Sequence, residues 1–232
     1  MKKDSLKSNA KKTWLGIIGC ALLCVVVVIA IVVSKQSAPN NSNYLVLVNK
    51  QNKLPDDWNF RVDFDTGRNA LGELLIVESN ALKDYEKLRK YLMENEGVQI
   101  ELDSTYRSLE EQQEIWDAWS ADPDLGLEYC KLYLSPVGYS EHHTGLAIDV
   151  FLMKDGESIR DNDDMIADRE DFAKVHKHLA DYGFILRYLE GKDDITGYSY
   201  EPWHLRYVGD REVAKYIMDN NLTLEEYLEL NR

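Results

Sequence analysis

The stretch SEHHTGLAIDVFLM, Ser140–Met153, decides the fold of this 232-residue chain. Its second half, Leu146–Met153, is an almost continuous apolar run with the length of a buried β-strand. The run contains one ionisable side chain, Asp149, and His142 lies seven positions earlier in the loop that enters the strand. An ionised carboxylate is costly to bury without a partner. We therefore expect a cation opposite Asp149, and favour a bound metal ion over a buried salt bridge.

A second stretch, Tyr200–His204 (YEPWH), carries a glutamate and a histidine three positions apart, Glu201 and His204. Pro202 lies between them and excludes a helix interior, so that the pair is predicted on a turn that enters a strand, Trp203–Val208. Together the two stretches offer two imidazoles and one carboxylate, which is a ligand set of catalytic zinc with the fourth position open to water. The remaining carboxylate, that of Glu201, could carry a proton.

The rest of the apolar pattern predicts helices and strands in mixed order, and therefore an α+β fold with a mostly antiparallel central sheet flanked by helices. Further strands are predicted over Tyr44–Val48, Arg61–Gly67, Val98–Leu102 and Phe184–Tyr188. Helices are predicted over Val77–Asn95, Leu109–Trp119, Asp122–Leu134, Arg169–Tyr182, Glu212–Asn220 and Leu224–Leu230. Ser108 with Glu111 forms a capping-box pattern before the second of these helices. We expect Asp155–Asp168 to be a solvated loop, and His176 and His178 to be surface residues.

The first 43 residues differ in composition from the rest. Trp14–Val33 is an uncharged apolar run of 20 residues, which as a helix would span about 30 Å, the thickness of a hydrocarbon core. Lysines precede it, so that residues 1–13 are predicted to be a cytoplasmic tail and residues 14–33 a single transmembrane anchor. Residues 34–43 are polar and predict a linker. Residues 44–232 are then an extracellular domain.

Charge and cysteine content limit what this outer domain could do. The chain has a net charge of −14, although residues 1–35 contain six lysines and one aspartate. So acidic a domain is not expected to bind nucleic acid, which requires clustered basic residues. Cys130 is the only cysteine after residue 24, so that an intrachain disulfide within the domain is excluded. We expect Cys130 to be buried and inert.

Three groups of residues resemble the VanY family of D-alanyl-D-alanine carboxypeptidases, a part of the zinc peptidase group that also includes the VanX dipeptidases. They are Tyr106-Arg107-Ser108 with Gln112, the motif Ser140-x-His142-x-x-Gly145-Leu146-Ala147-x-Asp149, and the run Tyr200–Gly209, YEPWHLRYVG. The resemblance extends from about Tyr44 to Val208, and no chemical position departs from it.

The resemblance implies that Zn²⁺ is held by His142, Asp149 and His204, with Glu201 as general base and then general acid. It further implies that Arg107 stabilises the oxyanion or orients the scissile carbonyl. Two more residues, Gln112 and Ser140, would contact the terminal D-alanine. The expected substrate is a peptidoglycan stem peptide or its lipid-linked precursor.

The sequence therefore predicts a membrane-anchored zinc D,D-carboxypeptidase that removes the terminal D-alanine of stem pentapeptides, with a link to glycopeptide resistance implied by resemblance. An L,D-carboxypeptidase that trims tetrapeptides would use the same ligands and stays open. A non-catalytic, zinc-containing wall-binding ectodomain is a second alternative, against which the presence of Glu201 speaks. The oligomeric state is left open.

Overall fold

The computed structural model describes residues 44–123 and 126–232. The predicted cytoplasmic tail, the predicted transmembrane segment and the whole of the predicted linker lie outside these residues. Across the described ranges, none of the helices combines the length and the apolar character needed to cross a membrane.

Strands and helices alternate irregularly along the described chain. The strands are β1 Phe64–Arg68, β2 Leu74–Glu78, β3 Gln99–Ser104, β4 Ala147–Lys154, β5 Glu157–Ile159, β6 Phe184–Leu186 and β7 His204–Tyr207. The α-helices are α1 Ser79–Tyr91, α2 Leu109–Ala121, α3 Gly126–Tyr133, α4 Asn162–Ala167, α5 Arg169–His178, α6 Asp193–Thr196, α7 Arg211–Asp219 and α8 Leu224–Leu230. Short 3₁₀ turns cover Trp58–Phe60, Glu141–Thr144 and Ala180–Tyr182.

All strand pairings are antiparallel among the described residues. β1 pairs with β2 as a separate hairpin, and the main sheet has the order β3-β4-β7-β6, with β5 on the end of β4. β4 is therefore the central strand, as its continuous apolar sequence predicts. The prediction of an α+β fold with an antiparallel sheet flanked by helices is confirmed.

Two apolar clusters hold the elements together. The larger one joins β3 and β4 to the buried faces of α1 and α5, and includes Tyr85, Leu88, Val150 and Phe172. The smaller one packs α7 and α8 against β6 around Ile185. Burial of such side chains stabilises a fold by about 1.5–3 kcal/mol each before the entropy cost is subtracted. Cys130 is buried and free, as predicted.

Several local signals give the correct helix boundaries. Ser108 and Glu111 form the predicted capping box at the start of α2. The helix predicted from Val77 begins two residues later, because the side chain of Glu78 accepts hydrogen bonds from the backbone N–H groups of Asn80 and Ala81. It continues as a π-helical turn over Leu92–Glu96 before a left-handed glycine.

Other predictions are wrong where long-range contacts decide the local structure. The predicted strand Tyr44–Val48 is irregular, because two of its carbonyls accept hydrogen bonds from the buried guanidinium of Arg206 instead of a neighbouring strand. The strand β2 was missed, because its pairing with β1 cannot be read from its own sequence. The expected loop over Asp155–Asp168 contains β5 and α4.

Gly145 ends the 3₁₀ turn that carries His142, and it has a left-handed φ of +70°. A Cβ atom there would lie 2.5 Å from Phe64 Cε1 and 3.2 Å from the backbone nitrogen of Glu78. We expect Gly145→Ala to lower the free energy of unfolding by about 2–5 kcal/mol, through left-handed strain and overpacking together. Gly156→Ala is the matched control, since its φ is also positive but nothing lies within 4 Å of its Cβ position.

Urea denaturation of the two alanine variants would separate these contributions. Gly156→Ala is expected to lower the free energy of unfolding by only about 1–2 kcal/mol, the cost of the left-handed backbone alone. Equal losses in the two variants would show that close packing around Gly145 does not matter.

Candidate active site

Three possible metal ligands converge from separate elements. His142 lies in the 3₁₀ turn Glu141–Thr144, Asp149 is the third residue of β4, and His204 opens β7. The antiparallel register of β4 and β7 places Asp149 directly opposite His204. One ligand atom from each of the three side chains lies within 4.8 Å of the other two. Non-local strand pairing thus builds the cluster that the sequence predicts as a metal site.

The two imidazoles point one nitrogen each toward Asp149. His142 Nε2 lies 3.2 Å from Asp149 Oδ2, and His204 Nδ1 lies 2.8 Å from Asp149 Oδ1. The opposite nitrogens are backed by acceptors: His142 Nδ1 lies 2.8 Å from the carbonyl oxygen of Thr105, and His204 Nε2 lies 3.3 Å from Glu141 Oε2. Acceptors at these outer positions favour protons there, which leaves the inner lone pairs free to bind a cation.

The chemistry of the cluster fits a zinc ion. Asp149 Oδ1 is buried and has no assigned hydrogen-bond partner among the described residues, although His204 Nδ1 lies 2.8 Å away. Such an oxygen normally has a partner. Burial alone would lower the pKa of His204, but Asp149 and Glu141 outweigh it and raise that pKa to about 10, so that the surroundings of the ring favour a positive charge. Two imidazole nitrogens and one carboxylate are ligands that zinc accepts.

Glu201 lies on the loop that enters β7, at the edge of the cluster. Its Oε2 atom lies 3.8 Å from His204 Nδ1. Burial, to which the charge of Asp149 adds, raises the pKa of Glu201 to about 7 against the lowering effect of His204. A carboxylate with a pKa near neutrality can both take up and release a proton at the working pH.

Arg107 follows β3 and lines the same cavity as the cluster. Its guanidinium donates to Gln112 Oε1 and to Ser104 Oγ, at 3.0 Å each. A β-bulge between Leu102 and Ser104 in the pairing of β3 with β4 precedes it and redirects the chain at this point. Arg107 thus has donors left over that could meet a carboxylate or an oxyanion.

The two residues expected to contact the terminal D-alanine lie in different positions. Ser140 is buried and lines the cavity. Gln112 is wholly buried behind Arg107, where its amide accepts from that guanidinium and donates to the carbonyl of Ser135 at 2.7 Å. Direct contact between Gln112 and the substrate stays a prediction, whereas the hydrogen bond between Gln112 and Arg107 is present in the structure.

The cavity has a volume of about 260 Å³ and is partly open. Beside the metal cluster it has an apolar wall that a peptide could contact. This wall is formed by Ile115, Trp119, Leu134, Met165 and Trp203. Polar and charged side chains form most of the remaining lining, and a concave site on which several polar groups converge is a good candidate for a small-ligand site.

Three further groups near the cluster make contacts that the sequence pattern does not predict. Glu141, next to His142, is fully buried beside two arginines. His143 accepts from the backbone N–H of Gly138 at Nε2 and contacts the carbonyl of Arg107 at Nδ1, and so holds the loop of that arginine. His176, predicted at the surface, is half-buried and contacts the carbonyl of Pro202 at 2.9 Å.

His178, also predicted at the surface, is buried and lies 2.7 Å from Glu96. Both α5 histidines were misplaced because the pattern of one helix does not reveal what packs on its second face.

The sequence was compared with known protein families and proteins. The profile of the VanY family, described as D-alanyl-D-alanine carboxypeptidase, matches residues 75–210. The protein YodJ of Bacillus subtilis (strain 168) is 37% identical over 201 residues, which are 84% of this chain and 70% of YodJ.

Two solved structures are also similar. The LD-carboxypeptidase LdcB has a TM-score of 0.68 and 35% identity, over 82% of this chain and 87% of LdcB. The vancomycin resistance D,D-pentapeptidase VanY, solved as a variant in complex with Zn(II), has a TM-score of 0.63 and 32% identity, over 80% and 99% of the two chains. The family match covers more than half of the sequence and confirms the resemblance: the chain belongs to the VanY family of D-alanyl-D-alanine carboxypeptidases.

Proposed function

We propose that this protein is a zinc-dependent D,D-carboxypeptidase that removes the C-terminal D-alanine from peptidoglycan stem pentapeptides. The observation that carries the proposal is the convergence of His142, Asp149 and His204 on one buried point, with Glu201 beside them in the same cavity. A purely structural zinc site would have no need of an adjacent, unliganded carboxylate.

Zn²⁺ would be held by Nε2 of His142, the carboxylate of Asp149 and Nδ1 of His204. When bound, it supplies a Lewis acid that polarises a carbonyl and lowers the pKa of a water molecule to about 7. Support comes from the orphaned oxygen of Asp149 and from the zinc complex of the similar VanY structure.

Glu201 would move the proton. Its carboxylate accepts a proton from the attacking water, and then donates it to the nitrogen of the departing D-alanine. The pKa of about 7 suits both steps, because the group is neither fully protonated nor a weak base near neutral pH.

Arg107 would hold the reacting end of the peptide. Its free donors can bind the terminal carboxylate or stabilise the negative charge on the oxygen of the scissile carbonyl. Gln112 and Ser104 fix the guanidinium plane, so that little rotational freedom is lost when substrate binds. Ser140 and Gln112 remain our candidates for contact with the terminal D-alanine.

An L,D-carboxypeptidase that trims stem tetrapeptides is the second candidate. The observation in its favour is the similarity to LdcB, an LD-carboxypeptidase described for peptidoglycan recognition, with a TM-score of 0.68. Both reactions release a terminal D-alanine and differ in the configuration of the residue before the cleaved bond. The same ligands and the same base would serve either reaction.

One experiment distinguishes these functions. The full-length chain, purified in detergent with zinc, is incubated with stem pentapeptide and stem tetrapeptide, and products are identified by mass. Loss of one D-alanine from the pentapeptide supports the D,D assignment, and loss from the tetrapeptide alone supports the L,D assignment. A pentapeptide with an amidated C-terminus is the control for Arg107, and we expect it to resist cleavage. If neither free peptide is cleaved, the proposal of a carboxypeptidase fails.

We also propose that residues 14–33 anchor the enzyme in the cell membrane with the N-terminus cytoplasmic and the catalytic domain extracellular. The sequence of residues 1–43 is the support for this. The substrate would be a peptidoglycan stem peptide or its lipid-linked precursor, and a role in glycopeptide resistance would follow from removal of the terminal D-alanine. Protease added to intact protoplasts should degrade the domain, and protection of the domain would refute this topology.

A further inference from the structure

Next to His204, at the Nε2 side of its ring, lies a buried group of four charged side chains. These are Glu141, Arg187, Arg206 and Glu225, and three of them are fully buried. Two positive and two negative charges balance, which explains how the interior tolerates them. Charged groups this deep are costly unless they are paired, so their position beside a candidate ligand calls for an explanation.

The two oxygens of Glu141 have separate partners. Oε1 accepts from Arg187 Nε at 2.8 Å and also from Arg206 Nη1. Oε2 is left to face His204 Nε2, at 3.3 Å. With two guanidinium groups on one oxygen, Glu141 is a carboxylate and can only accept at the other.

An obligatory acceptor at Nε2 determines which nitrogen of His204 carries the proton. Nε2–H must donate to Glu141, and the lone pair of the neutral ring is then on Nδ1, which points at Asp149. His142 is backed more weakly, by the neutral carbonyl oxygen of Thr105. The ring of Tyr188 packs on His204 at a centroid distance of 4.7 Å and restricts rotation of the imidazole.

We propose that Glu141 is a positioning residue that fixes His204 in its Nε2–H form and so presents Nδ1 to the metal ion. The inference rests on the metal site proposed above, and adds to it a residue that acts through His204 and is not itself one of the proposed ligands. The two arginines hold Glu141 in turn, through links to separate parts of the chain. Arg187 makes a bidentate pair with Glu225 of α8, and Arg206 donates to the carbonyls of Tyr44 and Val46.

The alternative is that Glu141 only holds the fold together, as Glu225 does. Glu225 provides a matched control, because it belongs to the same buried network but does not touch His204. Glu141→Gln and Glu225→Gln each remove one negative charge while keeping side-chain size. Of the two, only Glu141→Gln removes the obligatory acceptor of His204 Nε2.

The experiment measures zinc affinity of the full-length chain by competition with a chelating indicator. We expect Glu141→Gln to bind zinc about 10–100-fold more weakly, which is typical for loss of a group that orients a ligand. Glu225→Gln should lower the thermal midpoint but keep zinc affinity within about threefold of the unmodified chain, since its charge lies one guanidinium further away. Unchanged affinity in Glu141→Gln, or an equal loss in Glu225→Gln, would overturn the inference.

A second measurement needs no variant, and covers the case in which Glu141→Gln does not fold. The ¹⁵N shifts of the zinc-loaded, unmodified chain should report His204 as protonated at Nε2 and metal-bound at Nδ1. The reverse assignment would refute the role of Glu141 while leaving the proposed carboxypeptidase intact. If the unmodified chain binds no zinc, the proposed function itself fails, and with it this inference.

Discussion

Glu201→Gln is expected to reduce the rate of peptide hydrolysis by about 10²–10⁴-fold, the usual contribution of a general acid–base group. The amide keeps the size of the carboxylate but can neither take the proton from water nor return it to the leaving nitrogen. Glu201 lies at the rim of the cluster, with its nearest oxygen 3.8 Å from His204 Nδ1. Zinc content should therefore stay near one ion per chain.

Two measurements on the same preparation would test this expectation: the rate of stem-peptide hydrolysis in a discontinuous assay, and the zinc content per chain. Asp103→Asn is a suitable control, because Asp103 is another acidic residue that lines the cavity and is paired with Arg160. That variant should keep most of its activity. Full activity in Glu201→Gln would exclude Glu201 as the base, and loss of zinc in it would show that Glu201 is a ligand.

The sequence was sufficient to predict which side chains converge at this site because the relevant residue types are rare and lie in short motifs. Residues 44–232 contain five histidines, and the two predicted ligands among them are the two that the fold brings beside Asp149. The strand β4 was also predictable, since its long apolar run favours a central position. Helix α2 followed from a local signal, the capping box at Ser108.

What the sequence could not provide is the part of the structure that depends on distant pairing. The register that sets Asp149 against His204 is a property of two strands more than 50 residues apart. The role of Glu141 requires Arg187 and Arg206, which are 46 and 65 positions away. The irregular path of Tyr44–Val48 likewise follows from carbonyls that bond to Arg206. The local sequence pattern predicts individual helices and strands, whereas these features depend on how the helices and strands pack against one another.

Asp149→Asn is expected to have the other large effect, because Asp149 is the residue that both imidazoles face. The substitution keeps side-chain size, removes the only carboxylate of the proposed ligand set, and places an amide N–H₂ group where it can donate to an imidazole lone pair. We expect zinc affinity to fall by more than about 100-fold, beyond the loss typical of groups that merely orient a ligand. When the zinc concentration is limiting, the rate of peptide hydrolysis should fall together with the zinc affinity.

Glu101→Gln separates this effect from a general loss of stability. Glu101 is also a fully buried strand carboxylate, paired with Arg89 at 2.7 Å, but it lies on β3 away from the cluster. Its substitution should lower the free energy of unfolding and leave zinc binding unchanged. Chelator competition on both variants decides the matter: Asp149→Asn with unaltered zinc affinity would mean that the cluster does not hold the metal. The three side chains would then need another cation, and the proposed mechanism would lose its electrophile.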